Sequence, residues 1–189
     1  MHGHQRLSLF NARHDGRCFM PTRVHDAAAA RPVAILPRPG KTPTGREVHG
    51  HVGRLVRRIR GHWPSTRLTL RGDGHHGRPE VDYVFGLPGN AVLSRLLEAA
   101  ADDVRTRRAE AQAPVLRRHT EVRHGAKSWS CTRRVPARIE ASTLGLDLRC
   151  VVTNLTQGSA EWLYDTVYCA RGSAPAARRR SARHDASQE

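Results

Sequence analysis

The chain has 189 residues, the length of one ordinary domain or of a domain with a small insertion. Its 32 Lys and Arg residues against 17 Asp and Glu give a formal net charge of +15, which favours a polyanionic partner, most often nucleic acid. No apolar run approaches the roughly 18 residues of a membrane span, and the four cysteines form no CxxC pair. This composition argues against a membrane protein, a zinc ribbon and a disulfide framework, and we expect a cytoplasmic protein with reduced thiols.

The amino-terminal part is predicted to be extended. Alternating or β-branched residues indicate strands at 5–12, 18–25 and 31–36, with 26–30 as a connection. Pro37 and Pro39 should end the third strand, because proline cannot donate to a β ladder.

A helix should follow, because Thr44 and Glu47 match a capping box in which each side chain satisfies the other's exposed backbone donor. Pro64 should end this helix. Within this helix, apolar residues recur at spacings of three and four, at Val48, Val52, Leu55, Val56 and Ile59. The arginines mostly lie off this stripe, and two interpretations are equally open: a DNA-binding face or a solvated helix surface.

Period-two and helical patterns continue beyond this helix. Strands are predicted at 66–73 and 81–87, and three short strands at 128–131, 137–141 and 147–152. Helices are predicted at 91–113 and 159–171. The residues 173–189 are rich in Ala, Arg and Ser and should be disordered.

Asp73 ends the strand at 66–73 and precedes a turn that contains His75 and His76. A carboxylate at the carboxyl end of a strand, in a basic chain, is where a metal-dependent nuclease would place a magnesium ligand. Two-metal chemistry on a phosphodiester requires several such carboxylates. A surface turn aspartate and solvent-exposed histidines are the common alternatives.

A family resemblance is carried by six stretches of the sequence, at 10–15, 38–45, 71–80, 85–90, 126–129 and 161–165. Together these stretches resemble the transposase DDE domain group 1 family of bacterial insertion-sequence transposases. The resemblance implies an α/β fold: an RNase H-like mixed sheet with helices, interrupted by a small antiparallel β insertion, with an incomplete core.

The domains implied by the resemblance are a partial RNase H-like catalytic core at 1–119, without its first acid-bearing strand, and a β insertion at 120–157. The start of the last catalytic helix would occupy 158–172, and a disordered basic tail 173–189. The implied activity is DNA transposition, in which three acids hold two Mg²⁺ ions that activate water or a 3′-hydroxyl for attack on phosphodiesters at the element's ends. Asp73 matches the second acid, as catalytic residue and metal ligand.

The other two acids depart from the family pattern. The first is expected upstream of the point matched by His2, outside this chain. The third belongs to a Y-x2-R-x3-E-x6-K pattern, in which Tyr168 and Arg171 match the first two letters as DNA-binding residues. Pro175 stands at the glutamate position and Ala182 at the lysine position.

Proline inside a helix costs roughly 3 kcal/mol, so the helix of Tyr168 should end one turn short of an acid that faces Asp73. We therefore expect a truncated or decayed transposase that does not cleave DNA. The alternative is a regulatory protein that binds DNA, or associates with full-length transposase, without catalysis.

A last departure lies between Glu80 and Val81, where family members carry about nine more residues. A parallel crossover normally needs about a dozen residues or more. We therefore expect the strand at 81–87 to be misplaced, antiparallel or poorly ordered.

Overall fold

A computed structural model of the chain describes residues 8–12, 14–73, 81–127 and 129–169. The chain divides into two compact units, 1–41 with 172–189, and 42–171, and each is described by itself. The predicted disordered tail, the turn with His75 and His76, and Arg171 all lie outside the described residues. Within the described ranges, no helix combines the length and apolar character needed to cross a bilayer.

The first unit contains two antiparallel hairpins. Strand β1 (Leu9–Asn11) pairs with β2 (Gly16–Cys18), and β3 (Thr22–Asp26) pairs with β4 (Arg31–Leu36). The bounds of β4 are those predicted, whereas the predicted segment 18–25 is divided between β2 and β3. The connection at 26–30 is a turn, in which Asp26 Oδ1 accepts a hydrogen bond from the backbone N–H of Ala28 at 2.8 Å.

The second unit begins with helix α1 (Gly45–His62), which follows the predicted cap. Thr44 Oγ1 accepts a hydrogen bond from the backbone N–H of Glu47 at 3.2 Å, so one of the donors at the helix start is satisfied. The helix ends at His62, just before Pro64, as the sequence indicates.

A five-stranded mixed sheet forms the centre of this unit. Its order is β5-β6-β9-β8-β7, and all pairs are antiparallel except β5 with β6. The strands are β5 (Thr69–Asp73), β6 (Asp82–Leu87), β7 (Val115–His124), β8 (Arg133–Ser142) and β9 (Gly145–Thr153). The α/β fold class is therefore confirmed at the level of a mixed sheet with helices, while the RNase H-like topology stays a prediction. Strands β8 and β9, which lie in the predicted insertion, hydrogen-bond in the same sheet as β5 and β6.

The parallel pairing of β5 with β6 corrects one expectation. Thr69 lies opposite Asp82 and Asp73 opposite Gly86, so the prediction of a misplaced or antiparallel strand is wrong. The return path over the five residues of β5 is roughly 16 Å. Residues 74–81, if extended, reach roughly 26 Å. The connection is therefore long enough to cross back without a helix.

The predicted strand at 128–131 is also wrong. Trp129 donates its backbone N–H to Ala126 O at 2.9 Å, which closes a turn between β7 and β8. The strand that precedes β8 is instead β7, which begins at Val115.

Two helices cover one face of the sheet in place of the single predicted helix at 91–113. They are α2 (Ala91–Leu96) and α3 (Glu98–Glu110), separated at Leu97, whose backbone (φ −104°, ψ 2°) leaves the helical region. The side chain of Leu97 is buried with Leu93 against β6, β8 and β9. The core on this face comprises Tyr83, Phe85, Leu87, Leu93, Leu97, Val135, Ala137, Cys150 and Val152, with Ala101, Val104, Ile139 and Ala141 beside them.

A π-helix (Trp162–Tyr168) lies against the opposite face, within the predicted segment 159–171. Leu163, Tyr164 and Tyr168 pack there with Val84 and Val151. A seven-residue π-helix is rare, since such turns usually occur as bulges within α-helices, often at functional sites.

The central strand β8 contains Pro136. The pairing of β8 with β9 runs from Ser142 to Ala137 and resumes at Arg134, so it is interrupted at Val135 and Pro136. Proline has no amide hydrogen and restricts the residue before it, which accounts for the interruption.

The π-helix should depend on Leu163, whose side chain is fully buried. Leu163→Ala should lower the free energy of unfolding by about 2–5 kcal/mol, because it leaves a cavity under the helix. Leu144→Ala is the matched control, since Leu144 is 98% exposed, and should change stability by less than about 0.5 kcal/mol. Urea denaturation followed by circular dichroism measures both, and equal effects would contradict this placement of the helix.

Candidate functional site

The candidate site lies at the carboxyl end of β5. Asp73 is the last residue of this strand and is exposed to solvent. The parallel register places it opposite Gly86 of β6. The sequence therefore located this carboxylate correctly at a strand end.

Tyr168 of the π-helix reaches Asp73. Its hydroxyl donates a hydrogen bond to Asp73 Oδ1 at 3.0 Å. Two residues earlier on β5, Arg71 Nη1 donates a hydrogen bond to the backbone carbonyl of Val167 at 2.8 Å. These two bonds fasten the end of the helix to β5. The structure thus brings together Asp73 and Tyr168, two of the residues singled out from the sequence, while Arg171 lies outside the described residues and its DNA-binding role stays a prediction.

Gly86 makes this contact possible. A Cβ atom at position 86 would overlap the hydroxyl of Tyr168 and lie 3.3 Å from Asp73 Oδ1. Because any side chain would occupy the space of the Tyr168 hydroxyl, glycine at this position is required for the hydrogen bond. Gly86 belongs to the string 85–90 that carries the family resemblance, but its contact with Tyr168 could not be read from the sequence.

The described surroundings of Asp73 do not fit a two-metal centre. Among the described residues, the cluster of three His, Cys, Asp or Glu side chains close enough to share an ion does not include Asp73. Asp82 lies at the other end of the β5–β6 pair, opposite Thr69, and is ion-paired with Arg67 at 2.7 Å. The neighbour that the structure shows for the Asp73 carboxylate is the hydroxyl of Tyr168.

That cluster was missed at the sequence level. It consists of His119 on β7 and Glu161 and Asp165, whose ligand atoms all lie within 4.8 Å of one another. Glu161 and Asp165 are four residues apart and stand at the two ends of the stretch 161–165 that carries the resemblance. Their spacing was therefore a usable signal for a pair of carboxylates. His119 joins the cluster only because a segment 42 residues later in the chain packs against β7. No local pattern in the sequence predicts that contact.

A concave region lies at the opposite end of the sheet from Asp73, where β8 begins and β9 ends. Its volume is about 510 Å³. Arg133 in its wall stacks over Trp129, 4.9 Å from the ring centre, and approaches Tyr83 at 5.7 Å. Burial raises the pKa of Tyr83, and the positive charge of Arg133 partly offsets this.

The model of the transposase DDE domain group 1 family matches residues 1–182. The chain therefore belongs to this family. No curated protein and no solved structure matches the chain.

The contact between Gly86 and Tyr168 can be tested directly. Gly86→Ala should destabilise the protein by about 1–3 kcal/mol, because the added methyl group displaces the Tyr168 hydroxyl. In a Tyr168→Phe background the same change should cost less, which gives a measurable coupling in urea denaturation.

Gly72→Ala is the matched control on the neighbouring strand. A Cβ atom there would meet Phe85 at 3.5 Å, an ordinary contact. Equal costs for the Gly72 and Gly86 variants, or no coupling with Tyr168, would contradict the proposed packing.

Proposed function

We propose that this chain binds DNA as a member of the transposase family but does not cleave or join it. The observation that carries the proposal is the environment of Asp73, whose carboxylate accepts a hydrogen bond from Tyr168 and which, within the described residues, belongs to no group of three potential metal ligands. The family resemblance adds that Pro175 occupies the position of the third acid. Association with a full-length transposase remains a further prediction.

The chemistry explains why one acid is insufficient. In-line displacement at a phosphodiester needs charge stabilisation on both the attacking and the leaving oxygen, which two metal ions held by several carboxylates supply. Magnesium is held through carboxylates and retains several waters, so a lone aspartate gives it a weak site. Asp73 therefore serves here as the acceptor that positions Tyr168.

Helix α1 supplies the best-defined basic surface for DNA. It carries one acidic residue, Glu47, in its first turn, and its outer face is arginine-rich. Arg46, Arg54, Arg57 and Arg58 are exposed. Exposed arginines along one helix face contact phosphates and release counterions without reading base sequence.

The absence of cleavage is tested with supercoiled plasmid and with duplexes that carry the DNA flanking the gene. The purified chain with Mg²⁺ or Mn²⁺ should leave both substrates intact. Nicking or strand joining that disappears in Asp73→Ala would overturn the proposal, and Tyr168→Phe would then separate the role of the carboxylate from that of its neighbour.

DNA binding by α1 predicts a specific salt dependence. Arg57→Gln with Arg58→Gln should weaken binding to random duplex and reduce the slope of log K against log[salt] by about 2, since each phosphate contact contributes roughly 0.9. Fluorescence anisotropy at several salt concentrations measures this slope.

Arg105→Gln with Arg107→Gln on α3 is the matched control. These arginines are also exposed but are ion-paired with Asp102 at 2.6 Å and Asp103 at 2.8 Å on the same helix. Removing them should change the slope much less. Equal effects of the two double variants would show that net charge, and not α1, determines binding.

A further inference from the structure

The His119, Glu161 and Asp165 cluster lies away from Asp73, at the other edge of the sheet. His119 is on the outer strand β7, while the π-helix that carries Asp165 crosses the sheet face and ends at β5. The imidazole nitrogen and the two carboxylates offer one ligand atom each within 4.8 Å of one another. Neither the family chemistry nor the site at Asp73 uses these residues.

The environment of the His119 ring nitrogen favours a bound cation. The side chain is only 11% exposed, and Nε2 is wholly buried with no hydrogen-bond partner among the described residues. It lies 3.2 Å from Asp165 Oδ2, but not in hydrogen-bonding geometry. A buried ring nitrogen that faces a carboxylate oxygen is repelled by it unless a cation or a proton lies between them.

The neighbouring arginines are paired mainly outside the cluster. Arg117 is ion-paired with Glu140 at 2.6 Å, and Arg138, opposite His119 in the sheet, with Asp147 at 2.5 Å. Arg117 also interacts electrostatically with Asp165 and offsets part of the negative charge of that carboxylate. The cluster itself combines one imidazole with two carboxylates.

We propose that His119, Glu161 and Asp165 bind a divalent transition-metal ion of the zinc class. One nitrogen and two carboxylate oxygens are a ligand set of zinc, with a fourth position left for water. Magnesium prefers oxygen ligands alone, so the imidazole selects against it.

Tetrahedral zinc with bonds of about 2.0–2.1 Å places its ligand atoms about 3.3 Å apart. The cluster must therefore contract, and Glu161, which is exposed, has the side-chain freedom to do so. The bound ion would fasten the π-helix to β7.

Zinc titration of the full chain by isothermal calorimetry tests the site. The chain has 12 histidines, so weak background binding is expected and the variants must be compared with the wild type. His119→Gln and Asp165→Asn should each remove one zinc per chain, or weaken its binding by at least roughly the 10- to 100-fold that loss of an outer-sphere partner causes. Zinc should raise the melting temperature of the wild type but not of these variants.

His25→Gln is the matched control, because it removes an exposed histidine of β3 and should leave the zinc stoichiometry unchanged. Glu161→Gln provides a variant at an exposed position if the His119 and Asp165 substitutions impair folding. Wild-type stoichiometry and affinity in the folded His119, Asp165 and Glu161 variants would overturn the proposal, and the contact would then be a histidine–aspartate pair without an ion. Asp73→Ala should retain zinc binding, so this test is independent of the proposed function.

Discussion

The parallel pairing of β5 with β6 is the constraint on which the rest of the site depends. It sets Asp73 opposite Gly86, and the missing side chain at Gly86 leaves the space that the Tyr168 hydroxyl fills. A shift of β6 by one residue would turn its side chains to the other face and put a bulky one, Phe85 or Leu87, in that space. The end of the π-helix, and with it the environment of the family's middle acid, is therefore determined by a strand register.

The two faces of the sheet are stabilised differently. Under α2 and α3 the face is apolar and fully buried, and it supplies most of the stabilisation through burial of side chains such as Leu93 and Ile139. On the opposite face the π-helix covers only a strip, and the remainder carries arginine–carboxylate pairs across β7, β8 and β9. Partly exposed pairs of this kind contribute only about 1 kcal/mol each.

The sequence predicted the features that are local. Helix α1 was recognised from its cap and its apolar period, and β4 from its β-branched residues. The break at Leu97 was missed because the residues on both sides favour helix and only tertiary burial of that side chain selects the kink. The π-helix contacts of Tyr168 with Asp73, and of Asp165 with His119, join segments that are far apart in the chain. No periodicity in the sequence predicts such contacts. The expected misplacement of β6 is wrong because the residues 74–81 are enough to span the length of β5.

Pro136 interrupts the central ladder locally. The pairing of β8 with β9 runs from Ser142 to Ala137, is lost at Val135 and Pro136, and resumes at Arg134. Backbone amides at this interruption should exchange with solvent before those in the continuous part of the ladder. The π-helix is tied to β5 through Tyr168 and faces His119 on β7, so an ion held by His119 and Asp165 would join the two edges of the sheet through that helix.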